Sequence, residues 1–329
     1  MKRQLREIGR PLVGLVAIIV VVALFAPTFR QVSAAQDVLE NSTVLFIMSA
    51  GMTIALIGNC LDLSVGSIYA LVSVVTGQML LAGLPVPVSI LGGLAAGAVC
   101  GLINGGIVVK LGVPTLIATL GTQIAFRGVA NMLGAGKDMS HFAPEFTWLG
   151  QGVTGPIVVS AISFFVIWFI LSKTKLGFQA YAQGGNEEVA RLAGIPVKRN
   201  IVIIYMICGI MAAISSVVYT ARVDFAYVNR GQGMELWAIA AVVIGGTSMF
   251  GGVGGVGKTV IGVLIITTIQ AGLIHLHVEA FWQQVVLGVV IIVAVWLDFL
   301  QRRAAASRKP ALETAAKRSL WSKFFASRS

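Results

Sequence analysis

The chain reads as a succession of long apolar stretches separated by short polar or glycine-rich joints. Apolar segments run near 11–29, 43–60, 66–83, 87–109, 114–133, 155–172, 201–221, 235–250, 256–276 and 281–299. Most approach the ~20 residues with which an α-helix crosses ~30 Å of hydrocarbon. The pattern therefore predicts an all-α, polytopic membrane helical bundle of about ten transmembrane helices. The first segment also has the layout of a secretion signal, with a basic start, an apolar run and the small-residue triplet Val32-Ser33-Ala34; its length and the nine segments behind it favour a retained helix.

Composition removes the soluble alternatives. Of 329 residues, 57% are hydrophobic and only 11% are charged, against about 25% charged in an ordinary soluble domain. A soluble enzyme is excluded. The net charge of +11 is concentrated at residues 1–10 and 302–329. With the N-terminus inside, ten crossings return the C-terminus inside, and nineteen of the 24 Lys and Arg fall on the inner side. That is the bias of cytoplasmic loops, so both termini are expected to be cytoplasmic. The basic ends then face anionic lipid, with the bilayer rather than nucleic acid as their partner. Residues 1–301 form the membrane domain. Residues 302–329 make a basic amphipathic tail, with Leu312, Ala316, Leu320 and Phe324 at four-residue steps, expected to lie on the inner leaflet.

Between spans, the polar stretch 173–200 is the longest, and residues 186–194 suit a short helix. Asn186 is a good N-cap, Glu187 and Glu188 occupy the first turn, and Gly194 followed by Pro196 ends it. Val189, Leu192, Ala193 and Ile195 would be available to pack on another protein. On the outer side, residues 134–154 carry Gly134, Gly136, Pro144 and Gly150 and read as an irregular cap.

Within the spans, Thr115, Thr119, Gln123, Arg127 and Asn131 recur every four residues and share one helix face. Such a face either hydrogen-bonds to neighbouring helices or lines a watery path. Arg127 either snorkels to the surface or meets a polar solute. Asn104 and Gln270 carry the same two readings. Asp62, with Ser64 and Ser67, either caps the helix starting near Val65 or contacts substrate. Gly92, Gly93, Gly97, Gly101, Gly105 and Gly106 give one span the small-residue face of tightly crossed membrane helices.

Three tempting sites lack support. GVGGVGKT at 252–259 satisfies GxxxxGK[ST], but that loop needs a preceding strand in an α/β sheet, whereas here it joins two apolar spans; the match is fortuitous. His275 and His277, two residues apart, point to different sides of a helix and make a poor metal pair. Cys60, Cys100 and Cys208 have no CxxC spacing and read as packing residues. No catalytic constellation, metal or cofactor is expected.

Four stretches in order carry a resemblance: LDLSVGS at 61–67, GLINGGIVVKLGVPTLIATLGT at 101–122 with FRGVA at 126–130, GGNEEVARLAGIPV at 184–197, and AIAAVVIGGTSMFGGVGG at 238–255. Over nearly its whole length the chain resembles the permeases of ABC importers for monosaccharides, the group handling ribose, xylose, galactose and autoinducer-2. The resemblance implies two permeases, alike or paired with a sister subunit, forming the pore. It also implies two cytoplasmic ABC ATPase subunits, a periplasmic sugar-binding protein that delivers the solute, and a bacterial inner membrane around the whole. It makes 1–301 a permease domain and 173–200 its coupling loop, with Asn186, Glu187, Glu188, Val189, Leu192, Gly194 and Ile195 seated in the ATPase. The chain itself would hydrolyse nothing.

Asn59, Asp62, Asn104, Thr119, Gln123, Arg127 and Gln270 are the candidate pathway residues. One departure stands out: where many members have two glycines and an isoleucine before the aspartate, this chain has Asn59-Cys60-Leu61, which suggests a sister permease as partner. The alternative to the importer is a secondary transporter or channel acting alone, for which intramembrane charges would be expected. A membrane-bound nucleotide hydrolase would have to use 252–259.

Overall fold

The computed structural model describes residues 2–134, 139–279, 281–300 and Arg303. The amphipathic-tail expectation for 302–329 falls, apart from Arg303, outside the described residues. Ten helices coincide with the ten apolar segments: α1 (Lys2–Phe25), α2 (Val32–Ile57), α3 (Val65–Leu81), α4 (Val86–Leu111), α5 (Thr115–Gly134), α7 (Thr154–Lys173), α10 (Val197–Val223), α11 (Met234–Ile244), α12 (Val256–His275) and α13 (Phe281–Leu300). Three short helices lie between them: α6 (Pro144–Thr147), α8 (Lys175–Gly185) and α9 (Glu187–Leu192).

Six of these helices, α2, α4, α7, α10, α12 and α13, are long and apolar enough to cross a membrane. The stretches Pro11–Phe25, Val65–Leu81 and Met234–Ile244 are apolar but shorter. The sequence places a span over 235–250, but the helix stops at Ile244. Gly245 and Gly246, the latter at φ +96°, turn the chain out of the helix. At 1.5 Å per residue α11 is about 16 Å long, half a bilayer core.

The joints gather at two ends. One end holds 26–31, 82–85, 139–153, 224–226 and 276–279, and it is closed by a two-stranded ribbon in which β1 (Met139–Ser140) pairs antiparallel with β2 (Phe225–Ala226). This cap is tied down by Asp224, which accepts a hydrogen bond from the Phe142 amide at 2.8 Å, and by the Arg222–Glu40 ion pair at 2.6 Å. His275 is used here too, bonded to Thr28 Oγ1 at 3.1 Å and packed edge-on against Phe29. The opposite end holds 58–64, 112–114, 174–196 and 245–255.

α2, α3 and α10 form the centre of the bundle; nearly all of α2 from Ser42 onward is buried. The glycine face of α4 explains its close crossing with α10. A Cβ at Gly97 would strike the Gly209 carbonyl and Ala213 at 2.6 Å, and one at Gly105 would meet the Val202 backbone at 2.7 Å. Gly101 abuts the Tyr205 carbonyl, while Gly92 and Gly93 face Met79 and Thr76 of α3. Gly106, on the same predicted face, touches nothing within 4 Å. Two backbones this close exchange dispersion contacts that larger side chains would prevent.

Candidate functional site

The two shorter helices α3 and α11 begin next to each other inside the bundle. Gly77 of α3 packs on Phe142, Met139 and Ala226 of the cap, and Gly66 lies eleven residues earlier, about 16 Å deeper. There the backbones of Gly66 and Gly231 touch. Residues 227–233 therefore run from the cap down into the bundle before α11 starts. Irregular backbone at such depth needs hydrogen-bond partners from the protein.

Arg127 of α5 supplies them. Its guanidinium donates to the carbonyls of Val228 at 2.6 Å, Arg230 at 2.7 Å and Gly66 at 3.1 Å, fastening the descending segment to the first turn of α3. One turn earlier on the same face, Gln123 donates to Glu235 Oε1 at 3.0 Å. Glu235, in the first turn of α11, is 5% exposed, and its other carboxylate oxygen has no partner. Thr119 bonds back to its own helix at the Thr115 carbonyl, 2.9 Å. The four-residue series thus binds neighbouring elements at Gln123 and Arg127. Glu235 was missed in the sequence because a lone acid heading an apolar stretch looks like an ordinary first-turn residue; its partners lie over a hundred positions away.

A second polar cluster lies at the same end of α3, on the stretch that leads into it. Asp62 is fully buried; its Oδ1 accepts from the Ser64 amide at 2.9 Å and from Ser64 Oγ at 2.7 Å. Asn104 of α4 donates to Ser64 Oγ at 2.7 Å and reaches both Asp62 oxygens at 3.4 Å. Ser67 returns its hydroxyl to the Ser64 carbonyl at 2.7 Å. Asp62 therefore holds the residue that precedes α3 rather than the amides of the helix itself. Asn59 is exposed at φ +57°, a left-handed conformation that asparagine accepts more readily than most side chains.

The segment after α7 contains one more helix than the sequence predicts. Thr174 caps α8 by accepting from the Gly177 amide at 3.3 Å. α9 has the expected ends: Asn186 Oδ1 accepts from the Val189 amide at 3.0 Å, and Glu187 and Glu188 lie in the first turn. Gly194, at φ +79°, closes it, with its amide on the Arg191 carbonyl at 3.0 Å and the Ile195 amide on the Ala190 carbonyl at 3.1 Å. That pair of bonds is a Schellman stop. Ala190 is buried beneath the helix, while Val189 is 60% and Leu192 80% exposed.

The last turn of α8 grips two joints at once. Gln183 donates to the Gly58 carbonyl at 3.1 Å, after α2, and the Tyr181 hydroxyl donates to the Gly254 carbonyl at 3.0 Å, before α12. Burial pushes the Tyr181 phenol above its usual range, keeping it a donor. Gly184 lies against the Ile57 carbonyl and the Gly252 amide, which are themselves bonded at 2.9 Å. The 252–259 loop is consequently a packing joint that follows helix α11, without the strand a phosphate loop requires.

An apolar bundle with six membrane-length helices, a polar interior and a capped polar hairpin at one end is the build of a multi-pass membrane protein. Residues 34–295 match the family described as branched-chain amino acid transport system / permease component. The chain is 36% identical over 297 residues to the ribose import permease protein of Escherichia coli (strain K12), covering 88% of this chain and 92% of the relative. It is 38% identical over 290 residues to the D-allose transport system permease protein of the same strain, covering 85% and 89%. With the galactose/methyl galactoside import permease protein of Haemophilus influenzae it shares 36% identity over 298 residues, covering 84% and 89%. No solved structure matches significantly. The chain belongs to this permease family and is a permease subunit of an ABC importer.

Proposed function

We propose that the chain, paired with a second copy or a sister permease, forms the pathway by which a monosaccharide or similar solute enters across a bacterial inner membrane. A periplasmic binding protein delivers the solute at the cap end, and cytoplasmic ABC ATPases grip the α8–α9 end. In this orientation the chain crosses ten times and both termini are cytoplasmic, so that residues 1–301 are the permease domain and 302–329 a tail on the inner leaflet. The alternation of joints between two ends supports it, as does the gathering of Lys and Arg at the α8–α9 end.

The observation that carries the reading is α9. A six-residue helix capped at both ends, presenting Val189 and Leu192 to solvent, exposes apolar surface without an internal reason. Asn186, Gly194 and Ile195 set its ends; Glu187, Glu188, Val189 and Leu192 form the contact. Val189→Asp with Leu192→Asp, or Glu187→Lys with Glu188→Lys, is expected to remove ATPase co-purification and reduce uptake at least tenfold while the membrane-inserted amount stays the same. Unchanged uptake in both would overturn the coupling role. Recovery of a tagged copy with itself alone, in a fully active complex, would rule out the sister partner.

The Arg127–Gln123–Glu235 cluster favours a second reading, an ion-coupled transporter acting alone, since ionisable groups at depth often serve ion coupling. With cellular ATP held constant, uptake by the importer is expected to persist in the presence of a protonophore; collapse of uptake would favour the second reading.

A further inference from the structure

Above the Arg127 latch, on the cap side, lies a cavity of about 330 Å³ walled by α2, α3, α10, α11, α12 and the descending segment. Its size is at the lower end of small-molecule sites, ~300–1,000 Å³. Tyr69, Tyr219 and Trp237 give it aromatic walls, and Asn41, Asn229 and Gln270 give it carboxamides. No Asp or Glu lines it. Its one charged lining residue, Arg230, stacks over the Tyr219 ring at 4.9 Å. Tyr69 is 1% exposed, and its hydroxyl lacks any hydrogen-bond partner in the protein, an uncommon state for a buried polar group.

The geometry points to a binding site for one neutral, hydroxyl-rich solute at Tyr69, Trp237, Asn229 and Gln270, the outward station of the pathway; this inference rests on the permease reading above. Each carboxamide offers a donor and an acceptor together, which suits adjacent hydroxyls that do both. Flat aromatic walls suit the apolar face of a sugar ring and give contact area at little entropic cost. A zwitterionic amino acid would need a buried carboxylate for its ammonium group, and the lining has none. The floor of the cavity is shared with the latch, because Arg230 lines the one and accepts from Arg127 in the other. A solute here is held one gate away from the opposite end.

The test uses cells carrying the complete importer, with Asn229→Cys or Gln270→Cys copies and Gln151→Cys, on the same end but outside the cavity, as control. The native Cys60, Cys100 and Cys208 are buried, so a membrane-impermeant maleimide reads the introduced thiol. A panel of aldopentoses, aldohexoses and leucine is used as protectant. The sugar whose uptake depends on this chain is expected to slow alkylation at least threefold at the two cavity positions and not at position 151, while leucine has no effect. A position whose variant fails to accumulate in the membrane is replaced by Asn41→Cys. Chain-dependent sugar uptake without protection, protection by leucine, or equal protection at position 151 would each overturn the site and leave the permease reading standing. If uptake of none of the sugars depends on the chain, the permease reading for monosaccharides fails, and the site with it.

Discussion

Gly184→Val is expected to cut uptake at least tenfold, with the protein still inserted and the ATPase still bound. Gly184 rests on the Ile57 carbonyl and the Gly252 amide, and the adjoining Gly251 also lies against the backbone of Gly184. A side chain there must separate α8 from both joints, whose backbone atoms have no rotamer with which to yield. Overpacking of this kind costs ~1–3 kcal/mol and displaces whatever gives first. What gives is the contact between the α8–α9 hairpin and the ends of α2 and α12, while the α9 surface is untouched. Gly185→Ala supplies the control, because a Cβ there meets nothing within 4 Å, and it should transport normally. Uptake and ATPase co-purification measured together separate the two; loss of ATPase binding in Gly184→Val would move the effect from transmission to docking.

The second large effect belongs to Arg127. Arg127→Met removes three hydrogen bonds to backbone carbonyls and leaves Glu235 without its neighbouring positive charge. Arg127 is half-buried, and each carbonyl left without its donor costs ~1–3 kcal/mol; uptake should fall at least a hundredfold. Arg127→Lys is expected to fail nearly as badly, since an ammonium lacks the planar fork that reaches Val228, Arg230 and Gly66 together. Glu235→Gln alone should be milder. The double variant Arg127→Met/Glu235→Gln should recover part of the loss, because the stranded carboxylate is gone. A double variant as poor as Arg127→Met would show that the carbonyl clamp, not the charge, carries the effect. Initial uptake rates at matched membrane abundance decide the matter.

These two sites were unequally legible in the sequence. The ten apolar segments, the close crossing of α4 with α10 and both ends of α9 follow from local rules of hydropathy, glycine spacing and capping, each acting over a few residues. The polar face of α5 was visible as well. What it touches was not, since Gln123 and Glu235 are 112 positions apart and nothing local marks the pairing. Asp62 and Ser64 looked like a helix cap, and only the fold brings Asn104 to them across 42 positions. The early end of α11 was hidden because residues 245–250 remain apolar enough to extend a span; it takes the left-handed Gly246 to turn the chain away. α8 was hidden by the glycines that let it pack so closely.

The adjoining starts of α3 and α11 have a consequence for the cell's energy supply. Each helix start carries about half a positive charge, and with the Arg127 guanidinium they offset the carboxylates of Glu235 and of Asp62, which stands three residues before α3. A cation lodged at that level would upset this balance, whereas an uncharged molecule leaves it intact. Turnover on a neutral solute is therefore expected to carry no net charge across the lipid.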